Sequence, residues 1–127
     1  MVGSISERSE QLVIEFMVRD LRASVELYTT LGFIFERRDG SFAALRWEDR
    51  RLFLDERSEL PPHDGPPRAN VRIIVPDVDA VWGRAQELGV RIHQAIGDRH
   101  YGLRDFTVVD PDGFGLRFAS VLPPRPR

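Results

Sequence analysis

Two stretches decide the fold: FMVRDLRASVELYTTLGFIF at residues 16–35 and IIVPDVDAVWGRAQELGVRI at residues 73–92. They align without a gap at an offset of 57 residues, so that Val18 matches Val75 and Asp20 matches Asp77. A Leu-Gly pair occurs at the same place near the end of both stretches. Self-similarity at a fixed offset is typical of an internal repeat. The sequence therefore predicts two copies of one structural unit.

Each copy has the pattern of a strand, a helix and three further strands. Asp20 and Asp77 follow the first strand and are suited to cap the helix, and Gly32 and Gly89 are suited to end it. Both helices carry one apolar stripe at helical spacing. The stripes are Leu21, Val25, Tyr28 and Leu31 in the first copy and Val78, Val81, Trp82, Ala85 and Leu88 in the second. The prediction is an α+β fold of two tandem βαβββ modules.

The later strands of the two copies match at an offset of 64, and the seven extra residues are assigned to a loop near residues 97–103. Module 1 is expected at about residues 11–56 and module 2 at about residues 70–121. The Pro-rich stretch at residues 57–69 reads as a linker, and the whole chain, residues 1–127, as a single domain. The segment DPDG at residues 110–113 is interpreted as a turn rather than a catalytic motif.

Composition excludes several kinds of chemistry. All 18 basic residues are Arg and Cys is absent, so Lys and Cys nucleophiles are excluded. Three scattered His residues make a site with several His ligands hard to build. A net charge of −2 gives no support for nucleic-acid binding. No apolar run approaches membrane-spanning length and no signal peptide is evident, which favours a cytoplasmic location without a membrane partner.

The two motifs V-x-D-L-x-x-S-x-x-x-Y-x-x-L-G-F, starting at Val18, and YGLRDFTVVDPDGFGLRF, starting at Tyr101, resemble the vicinal oxygen chelate superfamily. That superfamily includes glyoxalases, bleomycin resistance proteins and dioxygenases, and the second motif is most similar to the bleomycin-resistance-like branch. The resemblance implies that the modules form a curved mixed sheet around a cleft. It also implies a homodimer.

The metal enzymes of this superfamily carry a ligand on the first and last strand of each unit. Carried over to this sequence, those four positions are Val13, Phe53, Asn70 and Arg117. None of these side chains is a good ligand for a divalent cation, and Arg117 would repel one. The resemblance therefore implies a member that uses no metal and no other cofactor.

Strand alternation predicts which side chains face the cleft. Leu12, Ile14, Phe16 and Val18 are expected to face the helices, whereas Val13, Glu15 and Met17 are expected to face the cleft. In the second copy Asn70 and Arg72 face the cleft. Glu15 and Arg72 are repeat equivalents, so they are candidates either for a salt bridge on the cleft floor or for ligand contact.

Five further residues complete the candidate ligand-binding set. Arg117 has no assigned partner and is expected either to bind a polar or anionic group of the ligand or to pair with Asp55 or Glu15. Phe53 and Trp47 are candidates for an aromatic wall, although packing at a hairpin end is an alternative for Trp47. His100 and Tyr101 lie in the insertion that is expected to border the cleft mouth.

The leading hypothesis is a metal-independent protein that binds a small organic molecule, such as an antibiotic or metabolite, without changing it. The alternative is a lyase or dioxygenase-like enzyme with a non-standard or metal-free active site. In one version Glu15 acts as a general base and Arg117 stabilises an oxyanion. In another, a register shifted by two residues places Asp55 or Glu15 on a metal. A third hypothesis is a structural or regulatory domain whose cleft is filled by Phe53 and Met17.

Overall fold

Both halves of the chain fold in the same order of elements. The computed structural model describes residues 10–124. The first half contains β1 (Ile14–Val18), α1 (Leu21–Leu31), β2 (Ile34–Asp39), β3 (Phe42–Trp47) and β4 (Arg50–Glu56). The second half contains β5 (Asn70–Ile74), α2 (Val78–Leu88), β6 (Arg91–Asp98), β7 (Leu103–Val109) and β8 (Gly115–Val121). The predicted α+β fold with two βαβββ modules is confirmed.

Each half forms its own four-stranded mixed sheet. The strand order is β1-β4-β3-β2 in the first sheet and β5-β8-β7-β6 in the second. The first and last strands of each module pair in parallel, and the other pairs are antiparallel. The described residues fall into two compact units that meet in sequence between Pro61 and Pro62, within the predicted linker.

Both helices begin and end as the sequence predicts. Asp20 accepts a hydrogen bond from the backbone of Ala23 at 3.1 Å, and Asp77 accepts one from Ala80 at 3.2 Å. These carboxylates satisfy N–H groups that would otherwise have no partner in the first helical turn. Gly32 and Gly89 end α1 and α2.

Gly32 is required for a packing reason as well. Its φ is 132°, and a Cβ on it would lie 2.7 Å from Cη2 of Trp47. The Trp47 ring in turn packs edge-on against Phe33, with ring centroids 5.0 Å apart. The end of α1 is therefore held against β3 by a close contact that no larger residue could make.

A small core lies between each helix and its sheet. In the first unit Phe16, Val18, Tyr28, Leu45 and Leu54 are buried, and the Tyr28 ring meets Phe16 edge-on at 6.4 Å. In the second unit the Phe106 ring is stacked against Phe118 and meets Trp82 of α2 edge-on. The predicted inward faces of β4 and β8 are buried. Most of the predicted stripes are also buried.

The start of the first strand is less covered than its predicted face suggests. Ile14 is the register partner of the buried Leu52 and so points to the helix side as predicted, but it is 50% exposed. Leu12 lies before the strand and is 88% exposed. The strand begins at Ile14, and helix α1 reaches the sheet through Tyr28 at Phe16. Helix α1 therefore covers the first strand only from Phe16 onward. In α2, Leu88 is likewise partly exposed because it occupies the last turn of the helix.

The register of the strands also revises the position of the extra residues. Phe53 pairs with Ala44, whereas its repeat equivalent Arg117 pairs with Thr107. The offset is thus 64 residues between β4 and β8 (117 − 53) but only 63 between β3 and β7 (107 − 44). Six extra residues precede β7, and the seventh lies in the turn between β7 and β8. The sequence prediction had placed all seven before β7.

Candidate functional site

A buried carboxylate lies on the face of the second sheet that α2 does not cover. We call this the open face, although its centre at Asp105, Thr107 and Ala119 is buried. Asp105 lies on β7 and is 0% exposed. Successive side chains of a strand point to opposite faces of the sheet. Asp105 and Thr107 therefore share one face, and Phe106 points to the other. Because Asp105 is paired with Ala119 and Thr107 with Arg117, Asp105 and Arg117 are diagonal neighbours on the open face.

Three side chains bind the Asp105 carboxylate. Oδ2 accepts hydrogen bonds from Nε of Arg117 at 3.1 Å, from Nη2 of Arg117 at 2.8 Å and from the Tyr101 hydroxyl at 2.6 Å. Oδ1 accepts one from Nε of Arg99 at 2.8 Å. Nη2 of Arg117 also donates to the Tyr101 hydroxyl, and its guanidinium lies 5.2 Å from the centre of the Tyr101 ring. We refer to Arg99, Tyr101, Asp105 and Arg117 as the Asp105 cluster.

The contacts within the Asp105 cluster shift the pKa values of Asp105, Tyr101 and Arg117. Burial opposes ionisation of Asp105, but hydrogen bonds from Tyr101, Arg99 and Arg117 outweigh it and lower the pKa of the carboxyl. The hydrogen bond to Asp105 raises the pKa of the Tyr101 phenol. Asp105 also raises the pKa of Arg117 against the opposing effect of burial. The cluster thus contains a carboxylate, a neutral phenol and two guanidinium ions near neutral pH.

The partner of Arg117 is therefore not the one that the sequence suggested. Asp55 and Glu15 were the predicted alternatives, and Asp105 was not considered; the offset of 64 would match it with Ser41 in a turn. The true offset of 63 matches it with Phe42 in a strand. Alternation in LRDFTVV could have revealed it, since the pattern sets Asp105 and Thr107 apart from Phe106 and Val108.

Arg72 lies directly beside Arg117 on the same face. The two residues are register partners in the parallel pair of β5 and β8. Arg72 is exposed, and within the described residues of the second unit it forms no hydrogen bond or ion pair. Asn70, two residues before it, packs its Oδ1 against Gly115 where a Cβ would otherwise stand. Arg72 is thus the less constrained of two neighbouring cations.

The open face of the first sheet is aromatic at the equivalent place. Phe42 and Phe53 are the repeat equivalents of Asp105 and Arg117, and their rings meet edge-on with centroids 4.9 Å apart. The Arg37 guanidinium lies 5.4 Å from the Phe42 ring centre. Glu15 is the register partner of Phe53 and is exposed. The same diagonal position thus holds an aromatic pair in one sheet and an ion pair in the other.

The remaining predicted residues are placed separately. Asp55 is paired with Arg57 at 2.8 Å and accepts a hydrogen bond from Ser41. Phe53 is paired with Ala44, and Trp47 lies an odd number of residues beyond Ala44 in the same strand. The Trp47 side chain therefore points to the opposite face of the sheet, where it packs against Phe33. The two rings cannot form one aromatic wall, and packing at the hairpin end accounts for Trp47. The predicted pairing of Glu15 with Arg72 joins the two units and stays a prediction.

His100 lies beside the Asp105 cluster but outside it. Its ring meets the Tyr101 ring edge-on with centroids 5.1 Å apart, and the residue is exposed in the turn between β6 and β7. Tyr101 is 45% exposed, so its ring is accessible while its hydroxyl is held by Asp105. The insertion thus contributes two residues to the cluster, Arg99 and Tyr101, and places His100 at its border.

A small cavity lies on the linker side of the second unit. Its volume is about 220 Å³, and its lining residues are His63, Arg68, Ala69, Asp112, Gly113 and Phe114. The His63 ring lies so close to Gly113 that a Cβ there would overlap it, and His63 also contacts the Pro66 carbonyl oxygen at 3.1 Å.

Asp110 stabilises the turn beside this cavity by accepting hydrogen bonds from the backbone of Asp112 and Phe114. DPDG is a turn, as predicted.

The four positions that the resemblance assigns to metal ligands carry Val13, Phe53, Asn70 and Arg117. Valine and phenylalanine have no donor atom, and the Asn70 oxygen lies over Gly115. Arg117 carries a positive charge and is bound to Asp105. These side chains do not fit a divalent cation. Among residues 10–124, no group of three or more His, Asp or Glu side chains is arranged to hold a metal ion.

The two βαβββ modules each have a four-stranded mixed sheet and one helix. The family model of the Glyoxalase/Bleomycin resistance protein/Dioxygenase superfamily matches residues 11–118. The chain belongs to this superfamily. A search of curated proteins found no match to the chain. Neither α1 nor α2, the helices of the described residues, is long and apolar enough to cross a membrane.

Solved structures of similar fold cover nearly the whole chain. A glyoxalase/dioxygenase from Nostoc punctiforme is 23% identical with a TM-score of 0.76, and the match covers 97% of this chain and 100% of that one. TioX from Micromonospora sp. ML1 is 25% identical with a TM-score of 0.72, covering 87% and 98%. A bleomycin-binding protein complexed with bleomycin is 24% identical with a TM-score of 0.67, also covering 87% and 98%. These similarities support the fold.

Proposed function

We propose that this protein binds a small organic molecule without a metal ion and without changing it covalently. The observation that carries the proposal is that Arg117, at a position that the resemblance assigns to a metal ligand, is bound to the buried Asp105 carboxylate. A guanidinium at this position repels a divalent cation. The hydrogen bonds from Arg117 to Asp105 oppose any movement of the Arg117 side chain that would leave room for a metal ion.

The binding surfaces in this proposal are the open faces of the two sheets. The second sheet offers charged hydrogen-bond donors at Arg72 and Arg117, with Asn70 at the start of its first strand. The first sheet offers the Phe42–Phe53 aromatic pair. Small-molecule sites combine apolar walls with a few well-placed polar groups, and these faces supply both. A single cleft joining the two units stays a prediction.

Sequestration is the role that best suits such a surface. The similar bleomycin-binding protein is known in complex with bleomycin, which makes that antibiotic a reasonable first ligand to test. We also propose that the protein is a cytoplasmic homodimer, in keeping with the resemblance and with a chain that contains no cysteine. The proposal does not depend on bleomycin itself, because a related metabolite could occupy the same faces.

Calorimetric titrations test the proposal directly. Metal-stripped protein is titrated with Zn²⁺, Ni²⁺, Mn²⁺ and Fe²⁺, and separately with metal-free bleomycin. We expect no stoichiometric metal binding, and we expect an organic ligand to bind equally well with and without chelator. Binding of one metal ion per chain with a dissociation constant in the low micromolar range or tighter would contradict the proposal.

The enzyme alternative has weaker support. Its general base, Glu15, is exposed on β1 rather than buried, and Nε and Nη2 of Arg117, its oxyanion stabiliser, already donate to Asp105. The other version of the enzyme hypothesis shifts the register and places Asp55 on a metal, but Asp55 is already paired with Arg57. A hydrolytic or lyase reaction that is lost in Glu15→Gln would restore this alternative.

A further inference from the structure

The neighbouring guanidinium groups of Arg72 and Arg117 are not balanced by the acid beside them. Arg72, Arg99 and Arg117 carry three positive charges, and Asp105 carries one negative charge, which leaves +2 for these four side chains. Like charges at directly paired positions of a sheet destabilise it. Asp105 offsets this repulsion at Arg117 and Arg99 but makes no contact with Arg72. Among the described residues of the second unit, Arg72 is therefore left without a counterion.

The hydrogen-bond donors of the two guanidinium groups are only partly used. Arg117 donates from Nε and Nη2 to Asp105 and from Nη2 to Tyr101, while Nη1 has no partner in the described chain. Nη1 is not among the buried polar atoms without partners, so it remains open to solvent. All five N–H donors of Arg72 are unused in the same part of the chain.

The Asp105 cluster holds Arg117 in place before any ligand arrives. Two hydrogen bonds from the Arg117 fork meet one carboxylate oxygen, and the Tyr101 ring lies against the guanidinium. Fixing a side chain in advance reduces the entropy lost on binding. Arg72 has no such contacts within the second unit, so its side chain is less constrained than that of Arg117. Ile74, two residues along β5 on the same face, is 48% exposed and offers apolar surface beside the two cations.

We propose that Arg72 and Arg117 together bind an oxyanion, a carboxylate or phosphate group, of the small molecule that this protein takes up. The planar fork of arginine matches both groups, and charge-assisted hydrogen bonds are the strong ones. The inference rests on the proposed function, because it names the chemistry of the ligand for the same face. It predicts that the ligand is an anionic organic molecule with an apolar body.

The test compares three ligands that share a phenyl ring. Benzoate and phenyl phosphate carry the oxyanion, and benzamide is the neutral counterpart of benzoate. Each is titrated into the full chain at low ionic strength, with binding followed by NMR. We expect one site for at least one of the anions, with benzamide at least about tenfold weaker, the factor that one lost charge-assisted hydrogen bond represents. The tighter anion identifies the group as carboxylate or phosphate.

Two variants with the same change of charge locate the site. Arg72→Gln removes the unpartnered guanidinium, and we expect it to weaken anion binding by about tenfold or more. Arg84→Gln is the control, because Arg84 is exposed on α2 and has no ion pair in the described chain. It is expected to bind the anion as the wild type does. Equal binding of benzoate and benzamide, or equal loss in both variants, would overturn the inference.

The inference and the proposed function can fail separately. If bleomycin or another uncharged or cationic molecule binds while neither anion does, the oxyanion inference is wrong and metal-independent binding stands. If an anion binds through Arg72 but the chain also holds one metal ion, the oxyanion site stands and the proposed function is wrong.

Discussion

Asp105→Asn is the perturbation whose effect follows most closely from the structure. The carboxylate accepts four hydrogen bonds from three side chains and is 0% exposed. Asparagine keeps the shape but removes the charge, and its NH2 group must face either an arginine or the tyrosine hydroxyl. Breaking a buried ion pair by removing one partner costs about 3–5 kcal/mol. Because Arg99 and Arg117 retain side-chain exposures of 21% and 26%, water can reach them, and we expect about 3 kcal/mol.

Urea unfolding followed by circular dichroism measures this loss. With a slope of roughly 1.5 kcal/mol per molar, a loss of about 3 kcal/mol lowers the midpoint by about 2 M urea. Asp98→Asn is the matched control, since Asp98 pairs with Arg104 but its side chain is 62% exposed. Exposed pairs contribute little, so the control is expected to lose less than about 1 kcal/mol. If the two variants were equally stable, Asp105 would not organise the face as described.

Three further predictions concern pH, packing and capping. Because the pKa of Asp105 is lowered on folding, its contribution is present above the unfolded value of about 3.9 and lost as pH falls below it. The stability gap between wild type and Asp105→Asn, measured by urea unfolding, should therefore shrink from pH 7 to pH 3. Gly32→Ala should lower the free energy of unfolding by about 2–4 kcal/mol, because the new Cβ would overlap Trp47. Gly89→Ala should lower it by only about 1 kcal/mol, because a Cβ there meets no neighbour. Thermal unfolding of both variants tests this difference. Asp20→Ala should lower stability by about 1 kcal/mol in the same assay.

The repeat made most of the fold predictable. A gapless match at one offset predicted both strand–helix pairs, and the caps at Asp20 and Asp77 are formed as expected. Local chemistry is sufficient for such features, because an N-cap or a helix-ending glycine acts on residues next to it in sequence. The exposure of Leu12 and Ile14 could not be predicted from local chemistry, because the length of sheet that a helix covers depends on tertiary packing.

The site was only partly predictable for a related reason. Arg72 and Arg117 were both recognised, but Asp105 was not. One extra residue in the turn between β7 and β8 changed the offset from 64 to 63 and matched Asp105 with the wrong position. A shift of one residue in a strand moves a side chain to the other face. An error of a single position therefore leaves the fold intact and hides the partner of a charged residue.

Native mass spectrometry of the protein purified from its own host tests the central claim most directly. It reports metal, carried ligand and oligomeric state in one spectrum. We predict a homodimer whose mass includes no metal and which releases a small anionic organic molecule on mild activation. One metal ion per chain that is removed by chelator, together with loss of ligand binding, would contradict the account.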